Sequence, residues 1–222
     1  MILGAFVVGL LSWVQAANVA PSPSPAVARG IPALLQEVEV KYGAAKTLAA
    51  EFSQTQYLAV LEQTRKSGGV IRIKRPDKVV WDTSVGEPSR LVSNGVTVWL
   101  YTPPFADGER GQVLKYKASG YHSRLAHALL AGSFSAAKDL LIETKSATEF
   151  VVTPRKKGMA GTVKRAEVVI DPDQKLIKRV ILEHEGGNRA DIDLSNVRLG
   201  ADVTEDEFNF KAPSGTEEVN AK

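Results

Sequence analysis

IRIKRPDKVVW, residues 71–81, alternates apolar with basic side chains, breaks at Arg75-Pro76-Asp77, and alternates again as far as Trp81. A period of two marks a strand with one buried face, and proline has no place inside a ladder. The stretch therefore reads as two antiparallel strands joined by a tight turn. Ile71, Ile73, Val79 and Trp81 make one greasy face. The question it sets is what that face is greasy for.

The same pattern extends in both directions. Upstream, LAAEFSQTQYLAV (48–60) is a mostly polar strand carrying Phe52, and QTRKSGGVIRIK (63–74) holds Gly68-Gly69, which predicts a bulge or bend. Downstream, GEP (86–88) is a turn, SRLVS (89–93) a short strand with Leu91, and Asn94-Gly95 a hairpin signal before TVWLYT (97–102). PPFADGERG (103–111) is a loop, and QVLKYK (112–117) alternates once more. Helical spacing then takes over in YHSRLAHALLA (121–131), which stripes Leu125, Leu129 and Leu130 before Gly132, and in FSAAKDLL (134–141). Strands resume at 147–154, 162–171, 175–184 and 188–197. Ahead of them all, IPALLQEVEVKY (31–42) spaces Ile31, Leu34, Leu35, Val38 and Tyr42 as one helical face, with Pro32 in the first turn and Gly43 after it. One helix, about six strands, two short helices and about five more strands, all shortly connected, predict a mainly β fold with some α. The expected form is one curved antiparallel sheet with its helices gathered on one face.

The 222 residues suffice for one large domain; a net charge of only +3 says little about partners, and since a nucleic-acid binder more often shows a concentrated basic surface, no nucleic acid partner is expected. The absence of cysteine excludes disulfides, a thiolate zinc site, a thiol nucleophile and lipidation at cysteine. Residues 2–14 are an apolar run too short to span a bilayer, and small residues follow it, so 1–20 reads as a signal peptide. The alternating prolines of PSPSPAVARG (21–30) read as an extended tether. The domain is expected over 31–217, with a flexible tail at 218–222.

Catalytic patterns are missing. His122 and His127 stand five apart on an expected helix, about 140° from one another, which is poor for a shared metal. There is no HExxH, no Gly-x-Ser-x-Gly and no P-loop, and a triad drawn through Ser119 and His122 has no motif behind it. No enzyme, no cofactor and no metal is expected. The basic run RKKGMAGTVKR (155–165) fits a solubilising hairpin loop, or a docking surface for an acidic partner or anionic headgroups. What remains is a surplus of apolar residues on alternating strands. Besides the opening four, Leu114 shares a face with Tyr116, and Trp99 with Tyr101. That surplus fits a packed core, or a concave surface partly open for an apolar ligand.

Phe52-Ser53-Gln54, Gly69 ahead of IRIKRPDKVVW, SNGVTVWLY, HALLAG, and DIDLSNVRLG followed by EFNFKAPSG occur in an order and spacing that resemble the outer-membrane lipoprotein carrier family, LolA type. The resemblance runs from about residue 33 to 217. It implies an open, unclosed antiparallel barrel of about eleven strands with a helical lid over a concave hydrophobic face. It implies a periplasmic carrier, a monomer, whose partners are acylated lipoproteins, an inner-membrane ABC-type releasing complex and an outer-membrane acceptor. A same-fold periplasmic sensor or regulatory protein is the alternative. By this resemblance the lipid cavity would be walled by Phe52, Ile71, Ile73, Val79, Trp81, Leu91, Trp99, Tyr101, Leu114 and Tyr116. Leu125, Leu129 and Leu130 would form the lid. Arg75, in the Arg-Pro motif, would latch the lid by bonding its backbone carbonyls. Val79 and Val80 depart from the phenylalanine and polar residue common there, which implies a differently shaped rim.

Overall fold

The computed structural model describes residues 30–118, 124–134, 140–155 and 162–220. The expected signal peptide, nearly all of the tether, Ser119, His122 and the centre of the 155–165 loop lie outside the described residues. Among the described residues no helix is long and apolar enough to cross a membrane.

The chain opens with helix α1 (Ala33–Gly43), followed by strands β1 (Thr47–Leu58), β2 (Gln63–Lys74), β3 (Lys78–Val85), β4 (Ser89–Asn94), β5 (Thr97–Thr102) and β6 (Gln112–Lys117). Helix α2 (Arg124–Leu130) precedes β7 (Leu140–Thr144), β8 (Glu149–Pro154), β9 (Val163–Asp171), β10 (Leu176–His184), β11 (Arg189–Leu199) and β12 (Glu217–Asn220). All twelve strands form one sheet in the order β12-β6-β5-β4-β3-β2-β1-β11-β10-β9-β8-β7. The sheet is open, with β12 and β7 at its two edges. It is the expected mainly β half-barrel, and every pairing is antiparallel except that of β12 with β6.

Curvature comes from register breaks. β1 slips against β11 between Ala49 and Glu51, and β2 slips against β3 at Gly68-Gly69. Bulges of this kind bend the strand that carries them. Gly69 is obligatory there, because a Cβ would sit 1.9 Å from the Asp82 carbonyl oxygen. Phe52, directly opposite, fills the space beside it and packs on Trp81 with ring centroids 4.7 Å apart.

Both helices lie on the concave face. Leu35, Val38 and Tyr42 of α1 and Leu125, Leu129 and Leu130 of α2 join one buried cluster with Leu48, Phe52, Ile71, Ile73 and the inward residues of β8–β11. A smaller cluster covers the convex face, where Val80 and Val92 pack under Val203 and Phe208, with Trp99 and Phe210 against them.

Two expectations change. Leu140 and Leu141, expected at the end of a helical piece, open strand β7 and pair with Pro154 and Thr153. A short apolar run such as Leu140-Leu141-Ile142 fits either period, and here the free edge of β8 decided it. The tail expected from 218 is instead part of β12, which pairs Glu217–Asn220 with Gln112–Lys115. Its residues EEVN carry no apolar alternation, so only the unsatisfied edge of β6 marks the place.

Candidate functional site

Residues directly opposite in an antiparallel pair share a face. Ala50, Ile71, Trp81, Leu91, Leu100 and Leu114 therefore form one inward row across six strands, and Leu48, Ile73 and Val79 lie on the same face. The row is only partly covered by α2. Between sheet and helix a hollow of about 700 Å³ remains, walled by Ile71, Ile73, Val79, Trp81, Leu91 and Leu130. Leu100, Ala126, His127, Leu182, Ala190 and Ile192 line it as well; of these only His127 was weighed in the sequence, and there only as a metal ligand.

The other expected wall residues stand elsewhere. Phe52 is buried behind Trp81 and supports it. Leu114 and Tyr116 share the inward face but lie outside the wall of the hollow. Trp99 and Tyr101 are a correction: both face the convex side, where Phe210 packs at 6.5 and 5.6 Å between ring centroids. The reason is parity. A two-residue turn joins β4 to β5, so an odd-numbered residue of one pairs with an even-numbered residue of the other. Leu91 thus pairs with Leu100, and Val92 with Trp99. Leu91 and Trp99 can never share a face, a signal present in the Asn94-Gly95 turn itself.

Helix α2 is closed at its C-terminal end. Gly132 takes φ +64°, and the Ser133 and Gly132 amides donate to the Ala128 and Leu129 carbonyls at 2.8 and 3.0 Å. This is the Schellman closure of a helix. Leu125 and Leu129 are buried in the core beneath the helix, while Leu130 reaches the hollow. The guanidinium of Arg75 donates to the carbonyl of Ala131, immediately after α2, and its own amide donates to Lys46 at 2.9 Å. Burial pulls the Arg75 pKa below the usual arginine value, against the opposing pull of Glu39 and Tyr42.

The neighbours of Arg75 tie α1 to the same place. Glu39 accepts the Phe134 amide at 3.0 Å, and the Tyr42 hydroxyl accepts the Ile177 amide of β10 at 2.9 Å. Burial pushes the Tyr42 pKa up to about 12. His127 of α2 faces the hollow; burial lowers its pKa, and its Nε2 has no hydrogen-bond partner among the described residues. At the opposite rim, His184 Nδ1 lies 2.9 Å from the Thr162 hydroxyl, and burial lowers its pKa too. Among the described residues no group of three His, Asp or Glu could hold a metal ion. The arrangement suits non-covalent enclosure of apolar matter between the sheet and α2.

The family model described as outer membrane lipoprotein carrier protein LolA matches residues 43–211. An outer-membrane lipoprotein carrier protein of Azotobacter vinelandii is 32% identical over 208 residues, 89% of this chain and 91% of that protein. Its namesake from Aeromonas salmonicida is 27% identical over 169 residues, 76% of this chain and 80% of its own. Among solved structures, a LolA superfamily protein from Nitrosomonas europaea aligns with 79% of this chain and 95% of its own, at 10% identity and a TM-score of 0.44.

Proposed function

Since the chain belongs to the outer membrane lipoprotein carrier family, we propose that it is a periplasmic chaperone that encloses the acyl chains of lipoproteins and carries them to the outer membrane. The observation that carries this reading is the hollow of about 700 Å³ left between an apolar sheet face and α2. Each methylene left in water costs about 0.8 kcal/mol, so a single acyl chain costs on the order of 10 kcal/mol. An uncovered cargo would not leave its membrane. Apolar contact without a dense polar network also lets the carrier give its cargo up.

The reading has the carrier take cargo from an inner-membrane ABC-type releasing complex and pass it to an outer-membrane acceptor. It assigns no catalytic step to the carrier; the driving energy comes from the partner. Residues 1–20 serve as the export signal and 21–30 as a tether. Arg75 latches α2 over the empty hollow, with Ile71, Ile73, Val79, Trp81 and Leu91 as the acyl wall and Leu125, Leu129 and Leu130 as the lid stripe.

The test is release of a labelled triacylated lipoprotein from inner-membrane vesicles that contain the releasing complex and ATP. Added protein, starting at Gly30, should move the label into the soluble fraction as a complex with itself. Label that stays with the vesicles at saturating protein would defeat the reading. Cell fractionation tests the compartment, and full-length protein retained in the cytoplasm would refute export.

A further inference from the structure

The inner face of the sheet changes character at one level across four neighbouring strands. Along β1 the inward positions run Leu48, Ala50 and Phe52, then Gln54 and Gln56. Along β2 they run Ile73 and Ile71, pass Gly69, and continue as Ser67 and Arg65. Along β3, Val79 and Trp81 give way to Thr83; along β4, Leu91 gives way to Ser89. Register aligns the change, since Gln54 pairs with Ser67, Gln56 with Arg65, and Thr83 with Ser89. All of these polar residues line the same hollow as the apolar wall.

Gln54, Gln56, Ser67, Thr83 and Ser89 are half-buried, and none has a side-chain hydrogen-bond partner among the described residues. A half-buried polar group without a partner in the protein is poised to take one from a ligand. The row is neutral: two amides and three hydroxyls, each able both to donate and to accept. Three charged side chains line the hollow beside it: Arg65 and Glu87, paired at 2.9 Å, and Lys66, which is exposed to solvent. A phosphate at Arg65 would have to break that pair against the Glu87 carboxylate, and at the solvent-screened Lys66 it would gain little, whereas ester and amide carbonyls and peptide N–H groups match the half-buried neutral partners.

We propose that this row is a second subsite, which binds the uncharged ester and amide linkage between the acyl chains and the polypeptide of the cargo. The proposal rests on the carrier reading and deepens it. The apolar end of the hollow takes hydrocarbon; the Gln54–Ser89 band recognises that the hydrocarbon is attached to an acylated peptide and not to a phosphate headgroup.

The test compares three probes on the folded domain by titration calorimetry: a synthetic triacylated cysteinyl peptide, palmitate, and phosphatidylglycerol below its aggregation limit. Wild type should prefer the acyl peptide to phosphatidylglycerol. Losing two hydrogen-bonding amides in Gln54→Leu/Gln56→Leu should weaken the acyl peptide by about tenfold or more and leave palmitate unchanged or tighter. Ser67→Ala/Ser89→Ala, which deletes two hydroxyls and removes less hydrogen-bonding capacity, should act in the same direction, with both variants first checked for an unchanged thermal midpoint. Equal loss for acyl peptide and palmitate, no loss for either, or a wild type that holds phosphatidylglycerol as tightly as the acyl peptide would each overturn the proposal. A wild type that binds no probe at all removes the carrier reading, and the proposal with it.

Discussion

Tyr42 joins three elements at one point. It stands on α1, its hydroxyl accepts the Ile177 amide of β10, and its ring closes on Gly132 where α2 ends. Removing the hydroxyl in Tyr42→Phe strands a buried N–H, and urea unfolding at pH 7 should show a loss of about 1–3 kcal/mol. The same hydroxyl gives a signed pH effect. Burial raises its pKa from 10.0 to about 12, so the folded state prefers the neutral phenol. That contribution is full below pH 10 and is lost as pH rises through about 12. The gap between wild type and Tyr42→Phe should therefore be constant below pH 10 and narrow above it; a gap that widens with pH would refute the assignment. Gly132→Ala meets two obstacles, a φ of +64° and a Cβ 2.6 Å from Tyr42 Cγ. It should lose about 2–4 kcal/mol in the same measurement. Single residues were unevenly legible in the sequence. Arg75 stood out through its Arg-Pro setting, as did Gly69 through its doubled glycine. Tyr42 read as one apolar residue on a helical face, since nothing local says that Ile177, 135 positions away, needs an acceptor.

At the scale of elements, α2 is a short helix anchored by buried Leu125 and Leu129 and by the Arg75 contact just past its C-terminal end. Seven residues are too few to be helical alone, so packing and the Arg75 contact must hold it in place. Arg75→Leu leaves the Ala131 carbonyl without its charged donor. Hydrogen exchange across 124–134 should quicken by about tenfold or more, because a hydrogen bond to a charged group is worth about 1.5–3 kcal/mol. Exchange in β9 and β10 should stay as in wild type. Unaltered exchange in α2, together with lipoprotein handed on at the normal rate, would remove the latch role. Leu125, Leu129 and Leu130 were legible as one stripe, but their division was not: two are buried beneath the helix and one meets the hollow, a distinction that depends on how α2 sits against distant strands. Strand positions were legible wherever a turn residue flanked an alternating run, as in β5 and β6. They failed at β7, where three apolar residues in a row have no period, and at β12, whose pairing is supplied wholly by β6.

The whole molecule keeps apolar surface away from water without filling the space in front of it, and most domains do the reverse. Greasy faces on alternate strands were visible in the sequence. Whether they close on one another is a property of summed side-chain volumes over distant elements, which no local pattern encodes. Two of the residues that line the hollow, Ala126 and Ala190, are small where larger ones would reach into it. That makes its emptiness a testable design feature. Ala190 is 7% exposed and lies on β11 between Gln56 and Leu182. In a packed core, Ala190→Phe would overpack and destabilise by about 1–3 kcal/mol. Here the ring should enter free space, so the thermal midpoint of the cargo-free protein should hold or rise while loading of an acylated peptide falls. Stability and function then move in opposite directions, as expected where a protein forgoes packing for its ligand. A midpoint that drops with loading unchanged would mean that the space is not available to acyl chains, and the enclosure on which the carrier reading depends would fail with it.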